Sequence, residues 1–226
     1  MPCAVIAVGT GRYADPWHPF TATGDAVAAL LRTDGWDVSI DADVDHALTV
    51  LAGADLLVVN AGDPWRSAPG DPAPLRRAEA AATRCLDDAV ARGTGILALH
   101  AATATLRDYP RFREAIGGEW VEGTSWHPPI GEATVPVDDP SHPVTSGLAT
   151  VTVFDELYTD VVVDPGAHVL VSHELEGRRH PLVWTREHPT RAVVCALGHD
   201  ERAYASPDLQ RLVRQAARWA GRAGDA

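Results

Sequence analysis

Short, unbroken apolar runs alternate along the first hundred residues with longer segments of helical period. "CAVIAVG" (Cys3–Gly9), "ADLLVVNAG" (Ala54–Gly62) and "GILALH" (Gly95–His100) each carry at least four apolar residues in succession and stop at small or polar ones. Such runs suit strands covered on both faces, as in a parallel sheet. Between them, "TGDAVAALLRTDG" (Thr23–Gly35) and "PLRRAEAAATRCLDDAVARG" (Pro74–Gly93) have helical spacing and close on glycine, and the second opens on proline. "WDVSID" (Trp36–Asp41) predicts another strand. Strands joined by helices predict an α/β fold: a doubly wound, mainly parallel sheet with helices on both faces and right-handed crossovers.

The second half is less regular. "EWVEGTSWHPPIGEATVPV" (Glu119–Val137) alternates and turns, which predicts a hairpin or short antiparallel strands, a small antiparallel extension of the sheet. His168–Leu175, His180–Arg186 and Arg191–His199 read as further strands, and Ser206–Gly221 as a closing amphipathic helix with a Ser-Pro-Asp start. There are no repeats, no low-complexity linker and no shift of composition, so one domain over residues 1–226 is expected.

Composition narrows the chemistry. The 226 residues carry a net charge of −12, which argues against a surface for a phosphate backbone and hence against a nucleic-acid partner. All 19 basic residues are arginine. Without lysine, a Schiff base, a P-loop and a lysine general base are excluded together. Cys3, Cys85 and Cys195 are too scattered for a disulfide framework or a cysteine-based metal site. "MPCAVIAVGTGRY" has no basic n-region, and no run approaches the ~20 apolar residues of a membrane span. A cytoplasmic location with no membrane partner is expected; a homo-oligomer is compatible with the sequence, which leaves the oligomeric state open.

The run "GILALH" ends on an imidazole, followed by the small residues of "AATA". In open α/β sheets ligands sit outside the carboxyl ends of the strands, so His100 stands where a site is expected. The "GTGRY" loop after the first strand, the "NAGD" loop after the third and "LGHD" after the strand beginning near Arg191 end at the same edge. The alternative for His100 is a core histidine bonded to a backbone carbonyl.

The stretches "GRYADPWHPF", "GILALHAAT", "GGEWVEGTSWHP", "DDPSHPVTSGL", "FDELY", "PLVWTRE" and "RAVVCALGHD", in that order from Gly11 to Asp200, resemble the ThuA-like (trehalose-utilisation) family of the class I glutamine amidotransferase-like superfamily. The resemblance implies a flavodoxin-like sheet with the active site at the elbow after strand four. It also implies a role in disaccharide use, on a keto-sugar made by a partner oxidoreductase. Amidotransferases carry a nucleophilic cysteine at that elbow, within Gly-x-Cys-x-Gly; here it reads Leu99-His100-Ala101. Glutamine hydrolysis through a thioester is therefore not expected.

Four groups stand out as catalytic candidates that this fold could bring together: His100, His127 in "SWHPP", Glu156 in "FDELY" and His199. Imidazole with carboxylate suits proton transfer beside a sugar carbonyl. The same four also suit one divalent metal such as zinc, although no local motif supports it, and the cofactor stays open between these readings. Arg12, His18, Asn60, Trp126 and Tyr158 are candidate contacts to a small-molecule sugar, with Trp126 stacking on a pyranose and Tyr158 donating to an oxygen. The rival function is a non-catalytic sugar-binding or regulatory module on the same fold.

Overall fold

The computed structural model describes residues 1–62 and 78–223. The apolar runs form the centre of a seven-stranded sheet. β1 (Cys3–Val8), β3 (Leu56–Asn60), β4 (Gly95–Leu99) and β11 (Ala192–Cys195) are buried almost throughout. β2 (Asp37–Asp41) lies on one edge and is largely exposed. β9 (His168–Leu175) and β10 (Arg178–Arg186) complete the other side, giving the order β2-β1-β3-β4-β11-β10-β9. The first five strands in this order are parallel and the last two join antiparallel. The continuous apolar runs thus became the covered strands, as burial on both faces requires.

The crossovers are α1 (Phe20–Thr33), α2 (Val44–Thr49) and α3 (Ala80–Arg92), and α5 (Pro207–Ala220) packs across β4 and β11 near the chain's end. Residues 74–77 of the long helix expected over Pro74–Gly93, and Asp63 of "NAGD", lie outside the described residues. Gly93 ends α3 in the left-handed conformation (φ +92°) that glycine adopts without strain. Gly95 then starts β4 directly under α5: a Cβ there would fall 2.1 Å from the Ala220 carbonyl oxygen, so only glycine allows this approach. No helix among the described residues is long and apolar enough to cross a membrane.

Of the two arrangements expected for the irregular segment, short antiparallel strands form rather than a hairpin. α4 (Pro110–Ile116) leads into β5 (Gly118–Glu119), which pairs with β8 (Val162–Val163). β6 (Gly131–Pro136) pairs with β7 (Thr150–Asp155). Glu119–Val137 is therefore no hairpin: each of its strands finds a downstream partner. Between them runs "SWHPP", where Pro128 and Pro129 have no N–H to give a ladder, so after the bridge of Trp126 with Thr159 the chain continues as a loop.

Candidate active site

Five segments converge beyond the carboxyl ends of the central strands. β4 passes into a tight 3₁₀ turn, His100–Ala104, and His100 itself has φ +42°, rare for a residue with a Cβ. The small Ala101 and Ala102 permit the turn, and the Thr103 carbonyl accepts from the Trp120 N–H at 2.9 Å. Leu99 pairs in register with Cys195 of β11, so His100 lies next to Ala196. Its Nδ1–H donates to the Ala196 carbonyl at 2.9 Å, which fixes the tautomer and leaves Nε2 as a lone pair. His100 is thus both a buried histidine bonded to a backbone carbonyl and a group turned toward the site.

Beyond β11 the chain turns at Gly198 (φ +113°) into His199. A Cβ on Gly198 would also lie 2.5 Å from the Tyr204 hydroxyl, so both the dihedral and the space require glycine. The turn is held by Asp155, the last residue of β7, which is 1% exposed. Its carboxylate accepts from the N–H groups of Gly198 at 2.6 Å, His199 at 3.1 Å and Glu156 at 2.8 Å. One side chain thereby positions both Glu156 and His199. Burial pushes Asp155 up to about 7, against the opposing pull of these donors.

Glu156 is the centre of the site. Its Oε2 lies 3.2 Å from His199 Nδ1, 3.5 Å from His127 Nε2 and 3.6 Å from His100 Nε2. Burial would raise its carboxyl, yet the facing His100 and His199 outweigh this and hold it well below the usual carboxylate range. Burial pushes His100 down to about 4, despite Glu156. Burial also opposes the charge on His199, but there Glu156 outweighs it and the net shift is upward. Near pH 7 the set therefore contains a neutral His100 and an ionised Glu156.

His18 enters from the loop after β1. Asp15 accepts from the backbone N–H groups of Trp17 and His18, at 2.9 and 3.0 Å, and holds the His18 ring through Nδ1 at 2.8 Å. Its ring centroid lies 5.0 Å from that of His100 and 4.8 Å from that of His199. His127 is placed by the backbone bridge between Trp126 and Thr159, and its Nδ1–H donates to the Pro128 carbonyl at 3.0 Å. These groups border a cleft of about 410 Å³, walled by Trp17, Trp120, Tyr158, Ala101 and Ala104. The size is within the range of small-molecule sites.

Of the nine residues singled out from the sequence, His18, His100, His127, Glu156, Tyr158 and His199 meet here. Three do not reach the cleft. Arg12 points to Asp45, with Asp108 at 3.5 Å, and with the Tyr13 and Tyr109 hydroxyls on Asp45 it ties the first loop to α2 and the segment before α4. An arginine among two acids and two phenols is claimed by them before any ligand. Asn60 is buried, its amide donating to the Phe20 carbonyl and Thr23 Oγ1 at 2.9 Å each, where it anchors the start of α1. Trp126 is exposed and donates to Asp160 at 3.1 Å; Trp120 occupies the wall instead. Sequence reading missed Asp15, Trp120 and Asp155. Asp15 had a local signal, since an aspartate three residues before His18 can accept its N–H in an Asx turn; the other two had none. Among the described residues, the group whose ligand atoms all lie within 4.8 Å of one another is His18, His100, Glu156 and His199, so His18 stands where His127 was expected among candidate metal ligands.

Residues 7–220 match the family model ThuA, described as trehalose utilisation. Among solved structures, a protein described as ThuA-like from Parabacteroides merdae superposes with a TM-score of 0.77 at 20% identity, covering 98% of this chain and 90% of that one. Another from Bacteroides uniformis gives 0.75 at 18% identity, covering 97% and 91%. A glutamine amidotransferase from Thermotoga maritima gives 0.50 at 10% identity, covering 87% and 75%. At these identities the structures establish the shared fold alone. No curated protein matches the sequence.

Proposed function

The chain belongs to the ThuA family, and from that premise we propose that it is an enzyme of sugar metabolism acting on a keto-disaccharide or related sugar derivative by acid–base chemistry in this cleft. The observation that carries the reading is the convergence of three imidazoles on one carboxylate oxygen at 3.2–3.6 Å, at an elbow that lacks a nucleophile. A buried His100 Nε2 without a hydrogen-bond partner among the described residues is costly in a binding module and useful in a reacting site.

His127 is the proton carrier. Its ring faces the cleft, is more open to water than the other imidazoles of the set, and has Nδ1 tied to a carbonyl so that Nε2 is the exchanging atom. Nε2 takes a proton from the carbon beside the sugar carbonyl and returns it in the second half of an isomerisation, or passes it to the departing oxygen in an elimination. Glu156 and His199, 3.2 Å apart on the floor of the cleft, form the polar surface toward which the carbonyl oxygen is turned as negative charge builds on it. Tyr158 and Trp120, with ring centroids 4.6 Å apart, form an apolar wall for a sugar face.

The test is turnover of keto- and unmodified disaccharides, with exchange of the carbonyl-adjacent hydrogen into deuterated water followed by NMR. His127→Ala and Glu156→Gln should each lower turnover by roughly 10²–10⁴-fold, the usual contribution of a positioned acid or base, with the fold intact. Saturable sugar binding with neither exchange nor turnover in the unaltered protein would refute the enzyme and favour a binding module.

A further inference from the structure

We propose that His18, His100, His199 and Glu156 bind one divalent transition-metal ion of the zinc type, and that His127 is not a ligand. The inference rests on the reading of this cleft as the reacting site and says what sits at its floor.

Distance is the first support. One ligand atom from each of the four residues lies within 4.8 Å of all the others. A tetrahedral ion with bonds of about 2.1 Å has ligand atoms about 3.4 Å apart. Glu156 Oε2 is 3.2 Å from His199 Nδ1 and 3.6 Å from His100 Nε2, on either side of that edge length. Small side-chain shifts close the remainder.

The second support is what stands behind the ligands. Asp15 holds His18 Nδ1 and the Ala196 carbonyl holds His100 Nδ1. Each partner keeps its proton on Nδ1 and presents Nε2 as a bare lone pair, the arrangement by which metal-binding histidines are oriented and made more basic. Asp15 is itself fixed by two backbone N–H groups. A carboxylate so built to orient one imidazole is hard to explain if His18 only fills space.

The third support is unmet demand. His100 Nε2 and His199 Nδ1 are buried without a hydrogen-bond partner among the described residues. A lone pair on His100 Nε2 faces a carboxylate oxygen, two acceptors with nothing between them. A cation satisfies both acceptors at once. Three nitrogens with one oxygen select zinc, cobalt or iron over magnesium or calcium, which prefer oxygen alone. When bound, such an ion would polarise a sugar oxygen presented from the cleft, leaving His127 free to carry protons.

The experiment uses full-length protein stripped of metal by chelator and dialysed. It is titrated with Co²⁺, followed by visible d–d absorption, and with Zn²⁺, followed by calorimetry. One equivalent per chain is expected. His18→Ala, His199→Ala and Glu156→Gln should each weaken binding at least 100-fold, and Asp15→Asn about 10–100-fold as an orienting partner. His127→Ala should stay within about threefold, and circular dichroism should show each variant folded. Absence of saturable one-equivalent uptake would overturn the proposal, as would a loss in His127→Ala equal to that in His18→Ala. Sugar turnover by protein that takes up no metal would sustain the enzyme and overturn the metal site. Stoichiometric metal uptake with no sugar turned over would do the reverse.

Discussion

Removing the Asp155 carboxylate should cost several kcal/mol of stability, because it unties the Gly198 turn from β7. Asp155 is enclosed, and its two oxygens accept three backbone N–H groups, two of them from the turn more than forty residues away. Asp155→Ala strands the Gly198 and His199 donors in an apolar setting and frees that of Glu156. Each stranded group costs about 1–3 kcal/mol, so the two give roughly 2–6 kcal/mol. Part is offset, because the variant no longer buries a carboxyl that ionises only near 7. A net loss of about 3 kcal/mol at pH 7 follows. Asp155→Asn keeps the shape, and its amide oxygen can serve Glu156 and His199. Its NH₂ must then face the Gly198 N–H, donor against donor where the bond is now 2.6 Å, for a loss of about 2 kcal/mol. Urea unfolding with an unchanged m-value measures both. If Asp155→Ala lies within about 1 kcal/mol of the unaltered protein, or Asp155→Asn equals it, the turn is held by something other than this carboxylate.

The pH dependence of stability should carry the mark of His100. Its folded value near 4 is below the ordinary 6.5, so the unfolded chain binds the extra proton between these limits. Its contribution is whole above about 6.5, is lost as pH falls toward 4, and amounts to about 3 kcal/mol in metal-free protein. His100→Ala should flatten this part of the profile, and parallel curves for the two proteins would contradict the assignment. The thiols should be inert: burial pushes Cys195 up to about 12, and burial with Asp37 and Asp55 also raises Cys3. Rapid inactivation of folded protein by a thiol reagent, abolished by one Cys→Ser change, would show otherwise.

The strands and long helices could be read from the chain because burial on one or two faces imposes a short-range period. The runs in Cys3–Val8, Leu56–Asn60, Gly95–Leu99 and Ala192–Cys195 have almost no other use than covered strands. The short helices Val44–Thr49 and Pro110–Ile116 went unread, since six or seven residues hold too little of a helical period. Their starts, Asp43 accepting from the His46 N–H and Pro110 at the first turn, were the available signals. His100 and His199 could be placed at the ligand edge because each follows a recognisable strand, and strand ends are where open α/β sheets expose ligands.

What tertiary structure alone decided is which side chains are already committed. Arg12, Asn60 and Trp126 are chemically suited to a sugar, yet Asp45, the start of α1 and Asp160 hold them. Conversely, Asp155 looked like one acid among 31 until β7 set it against the Gly198 turn. The register of Leu99 with Cys195 put the Ala196 carbonyl behind His100 and so chose its tautomer. Those outcomes depend on contacts between residues remote in sequence, where strand order and register set the distance and no local pattern records it. The residue types at the site were therefore legible in the sequence, and their partners, protonation and mutual distances came from the fold.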